Sequence, residues 1–126
     1  MSTIITAEMP IELELPAIKP GADWSWTFYV QDDNDAAINT TGYNFQMIGR
    51  DKVGGKTVFE ISTTNGKSTM TAASGKFVQK LTATETAAID VKQIVWDCLL
   101  TDNLGGVTPI FQGIQLPIKV LDRITQ

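Results

Sequence analysis

The chain has 126 residues, 43% hydrophobic and 19% charged, with fourteen acidic and ten basic side chains and a net charge of −4. That balance excludes a disordered chain and fits one domain, able to bury roughly two-thirds of its unfolded surface without disulfide or metal staples. Lys and Arg are scattered rather than clustered, so there is no basic footprint for nucleic acid.

Residues 1–16 differ in character from the rest. Pro10 and Pro16, with Pro20 just beyond, punctuate the alternating run Ile11-Glu12-Leu13-Glu14-Leu15. Proline lacks an amide donor, so the run reads as a peripheral strand at a sheet edge, preceded by an arm over residues 1–10. The sandwich itself is expected over residues 17–126. Unpaired amides and carbonyls at such an edge recruit another strand, which makes Ile4, Ile5, Ile11, Leu13 and Leu15 the candidate interface residues. Pairing within its own domain is the equal alternative.

Lys19-Pro20-Gly21-Ala22 is a turn. Trp24, Trp26, Phe28 and Val30 then share one face of a strand, opposite Ser25, Thr27 and Tyr29. The apolar set is assigned to the core; Trp24, Trp26 or Tyr29 could instead form a stacking platform for carbohydrate. Gln31 to Asp35 is an acidic loop. A calcium loop needs alternating oxygens, a central glycine and a closing glutamate, whereas Ala36 and Ala37 follow and no glutamate comes before Glu60. A solvated hairpin loop is expected there.

Thr40-Thr41-Gly42 opens a strand from Tyr43 to about Arg50. Lys52 to Lys56 reverses the chain into a strand over Thr57 to Ser62, where Val58 and Glu60 alternate with Phe59 and Ile61. Gly55-Lys56-Thr57 faintly resembles the end of a phosphate-binding loop, but Arg50 stands where its first glycine belongs and a hairpin is the wrong setting. Asn65-Gly66 is the strongest two-residue hairpin signal, because a type I′ turn needs positive φ at both positions. Ser74-Gly75 precedes a strand from Lys76 to Leu81. Thr82 and Glu85 stand at capping-box spacing, opening a helix of about two turns.

Ile94, Trp96, Cys98 and Leu100 then fall on one face of a strand, while Val95 and Leu99 make its other face mixed, which suits a central strand. Asp102-Asn103-Leu104-Gly105-Gly106 permits a tight reversal. Val107 to Gln112 returns, and Ile114, Leu116, Ile118 and Val120 alternate once more, with Pro117 indicating an edge or a bulge. The predicted core is Trp24, Trp26, Phe28, Phe45, Phe77, Trp96, Cys98, Leu100, Ile114, Leu116 and Ile118. About seven to nine short strands with frequent turns make the fold class all-β, an immunoglobulin-like β-sandwich with one short helix and an extended N-terminal arm. A small closed barrel is the alternative.

Chemistry-bearing residues are few. With no histidine there is no Ser-His-Asp triad, Cys-His dyad or His-based metal site. Cys98, the single cysteine, rules out an internal disulfide and reads as a small core residue. Glu60, Glu85, Asp90 and Asp97 could meet as a hydrolytic carboxylate pair, though cross-strand solvated acids are the ordinary outcome. The expected protein is not an enzyme and has no catalytic residues, no cofactor and no metal. No basic flank with a long apolar run marks a secretory signal or a membrane helix.

In order, "PGADWSWTFYVQDDNDAAINTTGYNFQMIGR" (residues 20–50), "ASGKFVQKLTATETAAI" (73–89) and "IVWDCLLTDNLGGVTPIFQGIQLPIKV" (94–120) resemble a known group. They are similar to small β-sandwich structural proteins encoded among the tail and baseplate genes of tailed bacteriophages, over about residues 17–123. In that group a strand leads through an acidic loop to a TGY-like turn; a glycine turn, a strand and an LTAxxTAAL-like helical segment follow. A strand with an aromatic-Asp pair, a TD-type turn and a closing strand complete it. The arm, the tryptophan-rich first core strand and Pro109 depart from that pattern. The resemblance implies a virion structural protein in the tail, baseplate or fibre-attachment region, assembled in the host cytoplasm. Its implied partners are other virion structural proteins and copies of itself, with no nucleic acid and no membrane. A capsid decoration or head-fibre protein is the neighbouring alternative.

Overall fold

A computed structural model describes residues 2–4, 11–32, 34 and 36–121, with side chains from Glu12 onward. Among the described residues nine strands form two sheets. These are β1 (Ser2–Ile4), β2 (Ile11–Glu12), β3 (Trp24–Val30), β4 (Asn44–Arg50), β5 (Thr57–Ser62), β6 (Ser68–Thr71), β7 (Lys76–Leu81), β8 (Gln93–Thr101) and β9 (Val107–Lys119). One sheet has the order β1-β3-β7-β6, the other β2-β9-β8-β4-β5. The chain leaves the first sheet after β3, returns at β6 and leaves again after β7. That is the Greek-key strand order of an immunoglobulin-like sandwich, not of a closed barrel. The two short arm strands pair in parallel with β3 and β9, each at an edge of a different sheet.

Alternation sets the core. The burial of β3, β7 and β8 follows period two, so the inward residues of both sheets meet in one aromatic cluster. Phe28 stacks on Phe77 at 5.0 Å, while Trp26 of one sheet meets Trp96 of the other at 5.7 Å. Trp96 lies on the central strand with Gly49 opposite it on β4 and Gly113 opposite it on β9. Both glycines are required by contact. A Cβ at Gly113 would lie 2.0 Å from Trp96 Nε1, and one at Gly49 would lie 2.7 Å from the Phe59 ring. The buried indole N–H groups of Trp26 and Trp96 have no hydrogen-bond partner among the described residues, a cost set against the area these rings bury.

Two crossovers between the sheets are pinned by polar side chains. In the connection from β7 to β8, Thr82 and Glu85 form the expected capping box at the start of α1 (Ala83–Ala87). This helix is one turn long, not two. Buried Thr86 fixes it to the turn before β3, donating to the Ala22 carbonyl at 2.8 Å and accepting from the Gly21 amide at 3.0 Å. Lys67, on the crossover from β5 to β6, pairs with Glu85. That ammonium, with the Thr82 amide, holds the Glu85 carboxyl below the usual carboxylate range.

Three expectations need correction. Asn65-Gly66 does not close a two-residue hairpin, because β5 and β6 belong to different sheets. The Asn65 side-chain oxygen Oδ1 instead accepts from the Ser62 and Lys67 amides, shaping a longer crossover. Gln31 to Asp35 does open a local reversal, with Gln31 bridging Ala37, but the chain then passes to the other sheet. Ile114 and Leu116, placed in the core by alternation, are 44% and 41% exposed.

The last correction has a geometric cause. The pairing of β8 with β9 slips twice. Cys98 faces both Ile110 and Phe111, and Val95 faces the whole stretch from Ile114 to Pro117. Inserted residues reverse the parity of a strand, so Gly113 and Ile118 point inward while Ile114 and Leu116 point out.

Candidate functional site: the outer face of the five-stranded sheet

The two outer faces are built from different residues. The four-stranded sheet turns Ser25, Thr27 and Tyr29 of β3, Thr69 and Thr71 of β6, and Lys76, Val78 and Lys80 of β7 outward. The five-stranded sheet turns out Ile48 of β4, Val95, Asp97 and Leu99 of β8, and Val107, Pro109 and Ile114 of β9. Among the described residues, the large exposed apolar side chains are Val53, Leu99, Leu104, Val107, Ile114, Leu116 and Leu121. All seven belong to this second sheet, to its hairpins or to the residues that continue it. A sheet with one buried face needs no apolar residue on the other, so this one-sided pattern makes the face the candidate contact surface.

The arm helps to build that surface. Glu12, half-buried on β2, accepts from the amides of Gln115 and Leu116 at 3.0 and 2.8 Å through Oε2. Its Oε1 accepts from the Gln112 side chain at 3.3 Å. These amides lie in the stretch that has looped away from β8, so the carboxylate satisfies donors the sheet leaves free. Ile114 and Leu116 are thereby held on the outer side.

The apolar groups gather at the two ends of the face. At one end, Ile48, Arg50, Val53, Val95, Asp97 and Ile114 line a hollow of about 120 Å³ beside the β4–β5 hairpin. At the other end the β8–β9 hairpin carries Leu104 at its tip, 90% exposed, next to Val107. Asp102 Oδ1 stiffens this tip, accepting from the amides of Leu104 and Gly106 at 2.9 Å each.

Among the candidate interface residues, Leu13 and Leu15 turn toward the core rather than onto this face. Ile4 pairs with Val30 and Ile11 with Phe111 through the backbone, and Ile5 lies outside the described residues. Leu13 packs half-buried against the core, donating its amide to Gln112 at 2.9 Å. Leu15 is buried in its own domain. The arm therefore covers its own sheet edges in this structure, and its two leucines face inward.

Other candidates fare in particular ways. Trp24, Trp26 and Trp96 are all buried, and Trp24 donates its indole N–H to the Pro16 carbonyl, so Trp24 and Trp26 offer no stacking platform. Glu60 and Asp97 sit on the outer face with Ile48 between them. Glu85 is taken up by its cap and Lys67, and Asp90 is exposed on the connection before β8. Asp32 accepts from the amides of Asn34 and Ala36, while Asp33 and Asp35 lie outside the described residues. Among the described residues no three His, Cys, Asp or Glu side chains group as a metal site. Cys98 is buried, and desolvation pushes its thiol pKa well up, which keeps it protonated.

Glu12, Val53, Leu104 and Val107 were not singled out by sequence reasoning. Val53 and Leu104 carried a usable signal, since an apolar residue in a glycine-rich turn has no core to enter. Glu12 carried none, because its partners lie 103 and 104 residues away. No protein-family model matches the sequence, and no curated protein matches it either.

Proposed function

We propose that this protein is a non-enzymatic structural subunit of a tailed-phage particle, in the tail, baseplate or fibre-attachment region. It holds neighbouring proteins in register through apolar contact on one sheet face. The observation that carries the assembly role is that, among the described residues, the large exposed apolar side chains belong to the five-stranded sheet, its hairpins or the residues that continue it. The phage setting rests on the order of the motifs at residues 20–50, 73–89 and 94–120, whose strand, helix and hairpin elements all belong to one sandwich. No helix among the described residues is long and apolar enough to cross a membrane.

The test is to locate the chain in purified particles by cryo-electron microscopy or antibody labelling. Discrete density that follows the tail axis is the expected result, and absence of the chain from purified particles overturns the proposal. Density that follows the icosahedral shell would assign the same domain to capsid decoration.

A further inference from the structure

We infer that copies of this chain associate head to tail, the Leu104 tip of one seating in the hollow between Ile48, Val53, Val95 and Ile114 of the next. The inference rests on the structural-subunit reading above and adds which surface meets which. Knob and hollow lie at opposite ends of one sheet face. Along β8 the strand between them, from Val95 to Thr101, spans about 20 Å.

Shape and chemistry match. Leu104 is 90% exposed on a hairpin tip stiffened by two hydrogen bonds to Asp102, so little freedom is lost when it docks. The hollow, at about 120 Å³, has room for one leucine side chain, and Ile48, Val53, Val95 and Ile114 give it an apolar wall between Arg50 and Asp97. Charge completes the match. From residue 99 to 108 the hairpin carries Asp102 as its one charge. The β4–β5 hairpin beside the hollow carries Arg50, Lys52 and Lys56 against Asp51, with Asp97 on the hollow's wall. Arg50 donates to the Gly55 carbonyl and the Thr57 hydroxyl, and neither ion pair found among the described residues involves a charge on these two hairpins. A negative tip thus meets a rim with one more positive than negative charge.

Because the two surfaces differ, the contact is heterologous. Each copy that docks leaves a free knob at one end and a free hollow at the other, so the chain builds a ring or a filament rather than a closed dimer. Salt should weaken it, since both charged groups are solvent-facing.

The experiment is sedimentation of the full chain, up to about 1 mM, a range that reaches weak interfaces of small area. The wild type should gain mass with concentration and lose it with added salt. Leu104→Asp and Val53→Asp, both at exposed positions and checked by circular dichroism, should each remain monomeric. An equimolar mixture of the two variants should form dimers and nothing larger, because each supplies the surface the other has lost. A wild type that stays monomeric, single variants that assemble like it, or a mixture that stays monomeric would each overturn the inference. A monomeric wild type whose chain is nonetheless found in purified particles sinks the head-to-tail contact alone and leaves the structural-subunit reading standing.

Discussion

The four-stranded sheet shows solvent mainly Ser25, Thr27, Thr69, Thr71, Lys76 and Lys80, with Tyr29 and Val78 half-buried among them, whereas the five-stranded sheet shows it Ile48, Val95, Leu99, Val107, Ile114 and Leu116 beside Gln46, Glu60 and Asp97. Both sheets contribute to one core through the same period-two rule, and that rule fixes only which residues point inward. Outward positions are free to be polar, and on one sheet most of them are. Folding alone does not require the apolar residues on the outer face of the other. They leave exposed area that burial would stabilise at roughly 25 cal/mol per Å², which a partner can recover.

The comparison can be broken at the shared core first. Trp96→Ala should destabilise the domain by about 4 kcal/mol, read by chemical denaturation, because the ring joins the two inner faces. Gly113→Ala should cost a similar amount, its methyl falling 2.0 Å from Trp96 Nε1. A loss below about 1 kcal/mol in both would show that the sheets do not pack around this indole.

Gln79 tests the four-stranded sheet by itself. It is fully buried, donates to the Trp26 carbonyl at 3.3 Å and accepts from the Ser68 hydroxyl at 2.8 Å, bridging β3, β7 and β6. Gln79→Ala removes the side-chain link to the Trp26 carbonyl and leaves the buried Ser68 hydroxyl without its acceptor, at a cost of about 2 kcal/mol. Unchanged denaturation midpoints would show that this bridge contributes nothing.

Glu12 tests the other sheet. Glu12→Ala should cost about 1 kcal/mol and, more tellingly, speed hydrogen exchange at the amides of Gln115 and Leu116. Exchange at those two amides equal to the wild type would mean that the arm does not hold the looped-out stretch of β9.

A smaller effect follows acid. The folded Glu85 carboxyl has a pKa below its unfolded value, so its stabilisation is complete above the unfolded value and is lost as pH falls through the folded one. The wild type should thus lose a small increment of stability below about pH 4 that Glu85→Gln lacks at every pH. The increment is small because the pair sits at the surface and is screened. Parallel pH profiles for the two proteins would refute it.

The smallest effect on stability belongs to the outer faces themselves. Leu99→Ser and Thr27→Ala should each lie within about 0.5 kcal/mol of the wild type. Only the first should reduce binding of a hydrophobic dye; equal loss from both would erase the distinction between the faces.

Much of this fold is legible in the sequence wherever pairing is regular. Lys76 to Leu81 forms as read, because it alternates without interruption, and Thr57 to Ser62 forms over the range read although its pairing with β4 skips Val58. The capping box at Thr82 is local chemistry and equally readable. Alternation fails at Ile114 and Leu116, where inserted residues reverse parity. Pro117 hinted at a bulge, but its size depends on β8 and on Glu12, neither of them nearby in the chain. Gln79 stands at an inward position between Phe77 and Leu81, yet its burial depends on acceptor and donor groups supplied by β3 and β6. β6, only four residues long, has no pattern of its own to read. The candidate contact face is hidden for the same reason as the bulge, since it emerges only once β4, β8 and β9 are laid side by side.

Cys98 stands on the central strand, with the cluster of Trp26, Phe28 and Trp96 spanning the gap between the sheets by packing alone. The sandwich is thus complete without any covalent maturation. A change from a reducing to an oxidising compartment would form no cross-link within it, and the head-to-tail contact proposed above would answer to concentration and salt rather than to redox conditions.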